Sequence, residues 1–257
     1  MTPCRVMLEL PRRWLVVVAV FSMACGGARS VPPATAPSPA ASSATAAPAA
    51  GDPDAIRWVR DAAEYRAAVL QVYRAVTARV EAEAVTHQPG TWAVVLDADE
   101  TVISNLTYQV ERSRAGLAFS PESWREWVRR RAATPLPGAA AFLTRVHDLG
   151  GRIAIVTNRR QSECDDTIAV FRQHALQYDA MLCRNDAGPS DKNPRFEAVA
   201  AGDTSAGAGP LAVVAFVGDN ILDFPRASQA SREDAAILDA FGVRFFVIPN
   251  PMYGSWQ

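Results

Sequence analysis

Three apolar runs in this sequence each stop on side chains that carry oxygen. Val94-Val95-Leu96 is followed by Asp97-Ala98-Asp99-Glu100-Thr101, Ile155-Val156 by Thr157-Asn158-Arg159, and Phe216-Val217 by Gly218-Asp219-Asn220-Ile221-Leu222-Asp223. One such end has a plain explanation, since Asp and Thr cap the helices that follow them. Three together, two with paired carboxylates, are not explained by packing. The chemistry that calls for such a set is phosphoryl transfer. A carboxylate approaching a phosphate dianion meets like charge, so a hard divalent cation with oxygen ligands is needed to join them. Asp97 and Asp219 can supply that site. Asp97 can then attack phosphorus and form an aspartyl phosphate, splitting one hard hydrolysis into two easier steps. Asp99 falls on the same side of an extended backbone and can protonate the leaving oxygen, then deprotonate water. Neighbouring carboxylates would raise its proton affinity, whereas the metal and Lys192 would lower it.

Phosphate oxygens need donors. Thr157, Asn158 and the amides of a helix start at Gln161 to Glu163 are placed to provide them. A further positive charge is expected, and the composition points to one: of 26 Lys and Arg residues, a single one is lysine, Lys192. Retention of one lysine in an arginine-rich chain suits a site that wants a compact point charge rather than a planar fork. Lys192 sits in Ser190-Asp191-Lys192-Asn193-Pro194, just before a helical stretch.

These residues must be held by a scaffold that brings strand ends together. The apolar runs 92–96, 153–156, 211–217 and 245–248, with a weaker one at 180–182, alternate with helical patterns over about 138–149, 162–174, 194–201 and 231–241. Buried strands alternating with helices imply an α/β fold with right-handed crossovers, a mostly parallel sheet and helices on both faces. Ligands bind such sheets beyond the carboxyl ends of the strands. Upstream, residues 54–85 contain no Gly or Pro, and apolar residues recur there at three- and four-residue spacing, which predicts one long amphipathic helix.

Residues 1–25 read as an export signal. Arg5, Arg12 and Arg13 precede a short apolar core, Trp14 to Phe21, and then Ser22-Met23-Ala24-Cys25. The core is about half the roughly twenty residues that a membrane span requires. The end resembles a bacterial lipobox in which Cys25 would carry lipid, with simple cleavage as the alternative. Residues 26–52, rich in Ala, Pro and Ser, cannot bury enough surface to order themselves and read as a tether. The folded domain is expected over 53–257. The formal net charge of −1 gives no basic face for a nucleic acid polymer, so the expected partners are small substrates. Cys164 and Cys183 remain in the domain and can either pair or serve as small apolar residues.

Taken in order, Asp97-Ala-Asp-Glu-Thr101, Val156-Thr-Asn-Arg159, Lys192 and Gly218-Asp-Asn-Ile-Leu-Asp223 resemble the four motifs of the haloacid dehalogenase superfamily. More narrowly, Trp58-Val-Arg-Asp-Ala-Ala-Glu-Tyr65, the segment Phe119 to Trp127 and Pro249-Asn-Pro-Met-Tyr-Gly-Ser-Trp256 are similar to class C bacterial acid phosphatases, the lipoprotein 5'-nucleotidase family. The resemblance implies a Rossmannoid sheet with a small helical cap drawn from about 53–88 and 102–135. It implies Mg²⁺ held by Asp97, Asp219 and the backbone carbonyl of Asp99, with Asp223 further out, and phosphate held by Thr157, Asn158 and Lys192. It also implies that Trp124 and Tyr253 clasp an aromatic leaving group, for which core packing is the competing role. The activity implied is acid hydrolysis of phosphate monoesters such as nucleoside 5'-monophosphates and aryl phosphates. The expected location is the cell envelope, as an outer-membrane lipoprotein anchored through Cys25 and facing the periplasm or surface, with a homodimer compatible with the reading. A phosphotransferase would use the same intermediate, and a catalytically silent envelope lipoprotein would use the same fold for binding.

Overall fold

The structure, a computed structural model, describes residues 51–257. The expected export signal, the expected lipid site at Cys25 and nearly all of the expected tether lie outside the described residues. In chain order the elements are α1 (Asp54–Asp61), α2 (Ala63–Ala84), β1 (Trp92–Leu96), β2 (Ile103–Ser104), α3 (Leu106–Arg114), α4 (Pro121–Arg130), β3 (Thr134–Pro135), α5 (Ala139–Asp148), β4 (Arg152–Arg160), α6 (Cys164–Gln173), β5 (Ala180–Arg184), α7 (Asn193–Ala201), β6 (Asp203–Thr204), β7 (Gly207–Ala208), β8 (Ala212–Gly218), α8 (Ala235–Leu238) and β9 (Phe245–Val247). No helix among the described residues is long and apolar enough to cross a membrane.

Five strands form one parallel sheet in the order β5-β4-β1-β8-β9. β1 lies at its centre and all five of its residues are buried, as expected for a strand covered on both faces. Its side chains alternate between two cores. Val94 and Leu96 join Ile153, Ile155 and residues of α2, α5 and α6, whereas Ala93 and Val95 join Val156, Phe196, Phe216 and Phe245. The expected α/β architecture with helices on both faces is present.

Two expectations need correction, and two strand pairs are added. The single helix over 54–85 is two helices, because the chain turns extended at Ala62, with φ −79° and ψ 128°. The break lets α1 pack on α3 while α2 packs on α5 and the sheet. The helix expected over 231–241 shrinks to the four residues of α8. Asp234 is extended there and its side chain accepts from the amide of Ala236, so it starts a new helix rather than continuing one. The short antiparallel pairs β2–β3 and β6–β7, which the periodicity did not reveal, close the segments that flank the first and last motifs.

Candidate active site

The end of β1 delivers Asp97, and the end of the neighbouring β8 delivers Asp219 and, one short turn later, Asp223. The Asp97 amide donates to the carbonyl of Val217 at 3.0 Å, so the two strands stay in register up to the carboxylates. Each of the three aspartates has an oxygen within 4.8 Å of the others. Asp223 comes this close because residue 218 is glycine. A Cβ there would stand 2.2 Å from the Asp223 Cβ.

Lys192, which precedes α7, reaches into this cluster. Its ammonium donates to Asp223 Oδ1 at 2.6 Å and to Asp97 Oδ1. It is 3 % exposed, and Asp97 is 8 % exposed. Burial opposes its charge, but Asp223 and Asp97 outweigh that and hold it protonated well above the ordinary lysine range. Burial pushes Asp97 up to about 7; Lys192 pulls the other way, and Asp223 and Asp99 add to the rise. Asp219 is raised well above the usual carboxylate range by burial, then by Asp223 and Asp97. Three carboxylates around one ammonium leave an excess of negative charge in a site of hard oxygen donors. That donor set fits a divalent cation.

Asp99 turns away from this cluster. Its carboxylate is gripped by Arg159, through Nε at 3.0 Å and Nη2 at 2.8 Å from Oδ1, and accepts from Asn105 Nδ2 at 2.8 Å. The cation paired with Asp99 is therefore Arg159 and not Lys192, which corrects the expected surroundings of this residue. Asn105 is fully buried and also accepts from Trp127 Nε1 and Arg159 Nη2, so α4 is wired through Asn105 to the first motif.

Thr157 and Asn158 lie on β4, which runs on to Arg160. Arg195, in the first turn of α7, ties them together by donating to the carbonyl of Thr157 and, at 2.7 Å, to Asn158 Oδ1. With its oxygen engaged, the amide group of Asn158 is left to donate. Of the amides expected to help from the following helix start, Gln161 to Glu163, that of Ser162 is already used and donates to Asp186 at 3.0 Å. Cys164 and Cys183 are joined in a disulfide that links the start of α6 to β5 beside this motif.

Trp124 and Tyr253 come to one cavity of about 480 Å³, shared with Asp99, Gln109, Phe119 and Arg159. Trp124 meets Tyr108 edge-on at 5.4 Å and lies under the Arg159 guanidinium, also at 5.4 Å. Neither Trp124 nor Tyr253 is fully buried. Glu100, Asn105, Arg159 and Arg195 are site residues that the sequence reading did not single out. For Arg159 a signal existed: β4 keeps its alternation past the apolar run, so Thr157 and Arg159 share a side.

A family profile described as HAD superfamily, subfamily IIIB (Acid phosphatase) matches residues 36–256. Among solved structures the chain is similar to the class C acid phosphatase from Bacillus anthracis, with 28 % identity over 79 % of this chain and 84 % of that one at a TM-score of 0.68. A second structure of that Bacillus anthracis enzyme, with tungstate bound, matches over the same shares at 27 % identity and the same TM-score.

Proposed function

This chain belongs to the acid phosphatases of HAD superfamily subfamily IIIB, and from that premise we propose that it hydrolyses phosphate monoesters of aromatic alcohols and nucleosides through an aspartyl phosphate on Asp97. The observation that carries the reading is the trio Asp97, Asp219 and Asp223 around the buried Lys192, at the carboxyl ends of two adjacent parallel strands.

Asp97 is the nucleophile. One of its oxygens forms a bond to phosphorus as the bond from phosphorus to the ester oxygen breaks. Asp99, as the carboxylic acid, gives its proton to the departing oxygen. In the second step Asp99 takes a proton from water, the water oxygen attacks phosphorus, and Asp97 is released as a carboxylate with inorganic phosphate. Thr157, Asn158 and the Lys192 ammonium hold the phosphoryl oxygens. A magnesium ion bound by Asp97, Asp219 and the backbone carbonyl of Asp99, with Asp223 further out, would offset the repulsion between nucleophile and phosphate. Tungstate, bound in a structure of the Bacillus anthracis relative, is a tetrahedral oxyanion and supports a site built for phosphate.

Trp124 and Tyr253 accept an aromatic leaving group by stacking, which tolerates different rings because each has a π face. The basic start and short apolar run of residues 1–25, ending on Cys25, support a location in the cell envelope with attachment to a membrane by lipid on that cysteine. The purified protein should release phosphate from p-nitrophenyl phosphate and nucleoside 5'-monophosphates at mildly acid pH. EDTA should abolish that release and Mg²⁺ restore it; activity indifferent to chelation would overturn the metal-dependent reading.

A further inference from the structure

Glu100 is a buried carboxylate for which the hydrolytic steps have no use. It is 1 % exposed and adopts a left-handed backbone conformation, φ 52°, which a non-glycine residue takes only when its surroundings impose it. That twist turns its side chain into three donors. Oε1 accepts from the Asn105 amide at 2.8 Å and from the Tyr253 hydroxyl at 3.1 Å, and Oε2 accepts from Ser104 Oγ at 3.3 Å.

Tyr253 belongs to the segment 249–257, which has little regular structure to hold it. The segment is fastened on either side of Tyr253 to the end of β8, and Ser255 Oγ also accepts from Gln229 Nε2 at 3.0 Å. Asn250 Nδ2 donates to Asp219 Oδ2 at 2.8 Å, and Ser255 Oγ donates to Asn220 Oδ1 at 2.7 Å. Those tethers fix the backbone on either side of Tyr253. They do not reach its ring, whose far end is held by the bond from its hydroxyl to Glu100.

We infer that Glu100 is a positioning residue for leaving-group selection, acting through Tyr253: its carboxylate holds the phenol so that the ring forms one wall of the cavity opposite Trp124. This rests on the phosphatase reading above and adds to it the residue that sets preference for aromatic over aliphatic esters. The first motif thereby carries two functions on neighbouring residues: Asp97 stands in the carboxylate cluster, and Glu100 holds a ring of the leaving-group cavity that Asp99 also lines.

The test is a ratio. kcat/KM is measured on the full chain for phenyl phosphate and for glycerol 2-phosphate in wild type, Tyr253→Phe, Glu100→Ala and Glu100→Gln. The loss of a buried hydrogen bond should lower the aromatic-to-aliphatic ratio about ten-fold, the upper end of what one such bond contributes, chiefly through KM for phenyl phosphate, in both Tyr253→Phe and Glu100→Ala. Glu100→Gln keeps an oxygen that can accept from both Asn105 and Tyr253, and its ratio should stay within about three-fold of wild type. Tyr253→Phe keeps the ring and removes only the latch, so it decides the matter even if Glu100→Ala does not fold. A wild type active on both esters with a ratio that Tyr253→Phe leaves unmoved, or variants that lose both esters in equal proportion, would overturn the latch and leave the phosphatase reading standing. A wild type that releases phosphate from neither ester would overturn both.

Discussion

The guanidinium of Arg159 joins Asp99 to Trp124: it binds the carboxylate with Nε and Nη2 and lies 5.4 Å from the indole ring. The proposed acid/base and one wall of the proposed leaving-group cavity thus share a support. Arg159→Lys keeps the charge but loses the fork, and should lower kcat on p-nitrophenyl phosphate by about ten- to a hundred-fold. Steady-state kinetics on that ester and on an aliphatic one checks it. A variant with wild-type kcat would show that Asp99 orients itself.

Asp97→Asn should fold, because it removes a charge from a buried site, and should lose at least about three orders of magnitude in kcat. Circular dichroism together with phosphate release separates loss of chemistry from loss of fold. Near-normal turnover in a folded variant would exclude Asp97 as nucleophile.

Lys192→Met leaves Asp97 and Asp223 buried without their shared cation. Breaking a buried pair on one side costs about 3–5 kcal/mol, so urea unfolding of the metal-free variant should show a loss of that order. Added Mg²⁺ should recover part of the stability while activity stays low, since the phosphate would still lack its ammonium.

In the metal-free protein, stability should fall as pH rises from about 4 to about 7. The sign follows from Asp97, pushed up to about 7 by burial, and from Asp219, raised by burial and its acidic neighbours. The unfolded chain gives up these protons near the ordinary aspartate pKa of about 4, while the folded chain keeps them, so unfolding releases protons across that window. Thermal melts in EDTA should show the decline, and a divalent cation should flatten it. A midpoint that rises with pH over this range would contradict the shifts.

Replacing both Cys164 and Cys183 by Ser should cost about 2–4 kcal/mol, the usual worth of a cross-link closing a loop of about this length. Thiol titration under denaturing, non-reducing conditions should find neither residue free.

The sheet and the carboxylate cluster were legible because each depends on short-range pattern. Asp97, Asp219 and Asp223 follow directly on apolar runs that fill a parallel sheet, and the rule that ligands sit beyond strand ends supplies the rest. Glu100 and Asn105 were not legible, because their partners are far along the chain or on another element; Glu100 meets Tyr253 across 153 residues. The break at Ala62 left no mark either, since no Gly or Pro stands there and the apolar spacing runs on. Asp234 did leave one, because an aspartate inside a helical pattern is a potential start for a new helix.

The place of β1 in the sheet governs when this protein becomes an enzyme. Asp97 is held between β4 and β8, and the loop that must close before β8 docks brings together residues as distant as Thr101 and Asp219, 118 positions apart. Pairings of that span are made slowly, because the chain loses its freedom before the contacts repay it. Until then Asp97 stands apart from Asp219 and Asp223, and Lys192 lacks one of its two carboxylate partners. The carboxylate cluster is therefore complete only once β1 and β8 have paired and does not accumulate element by element.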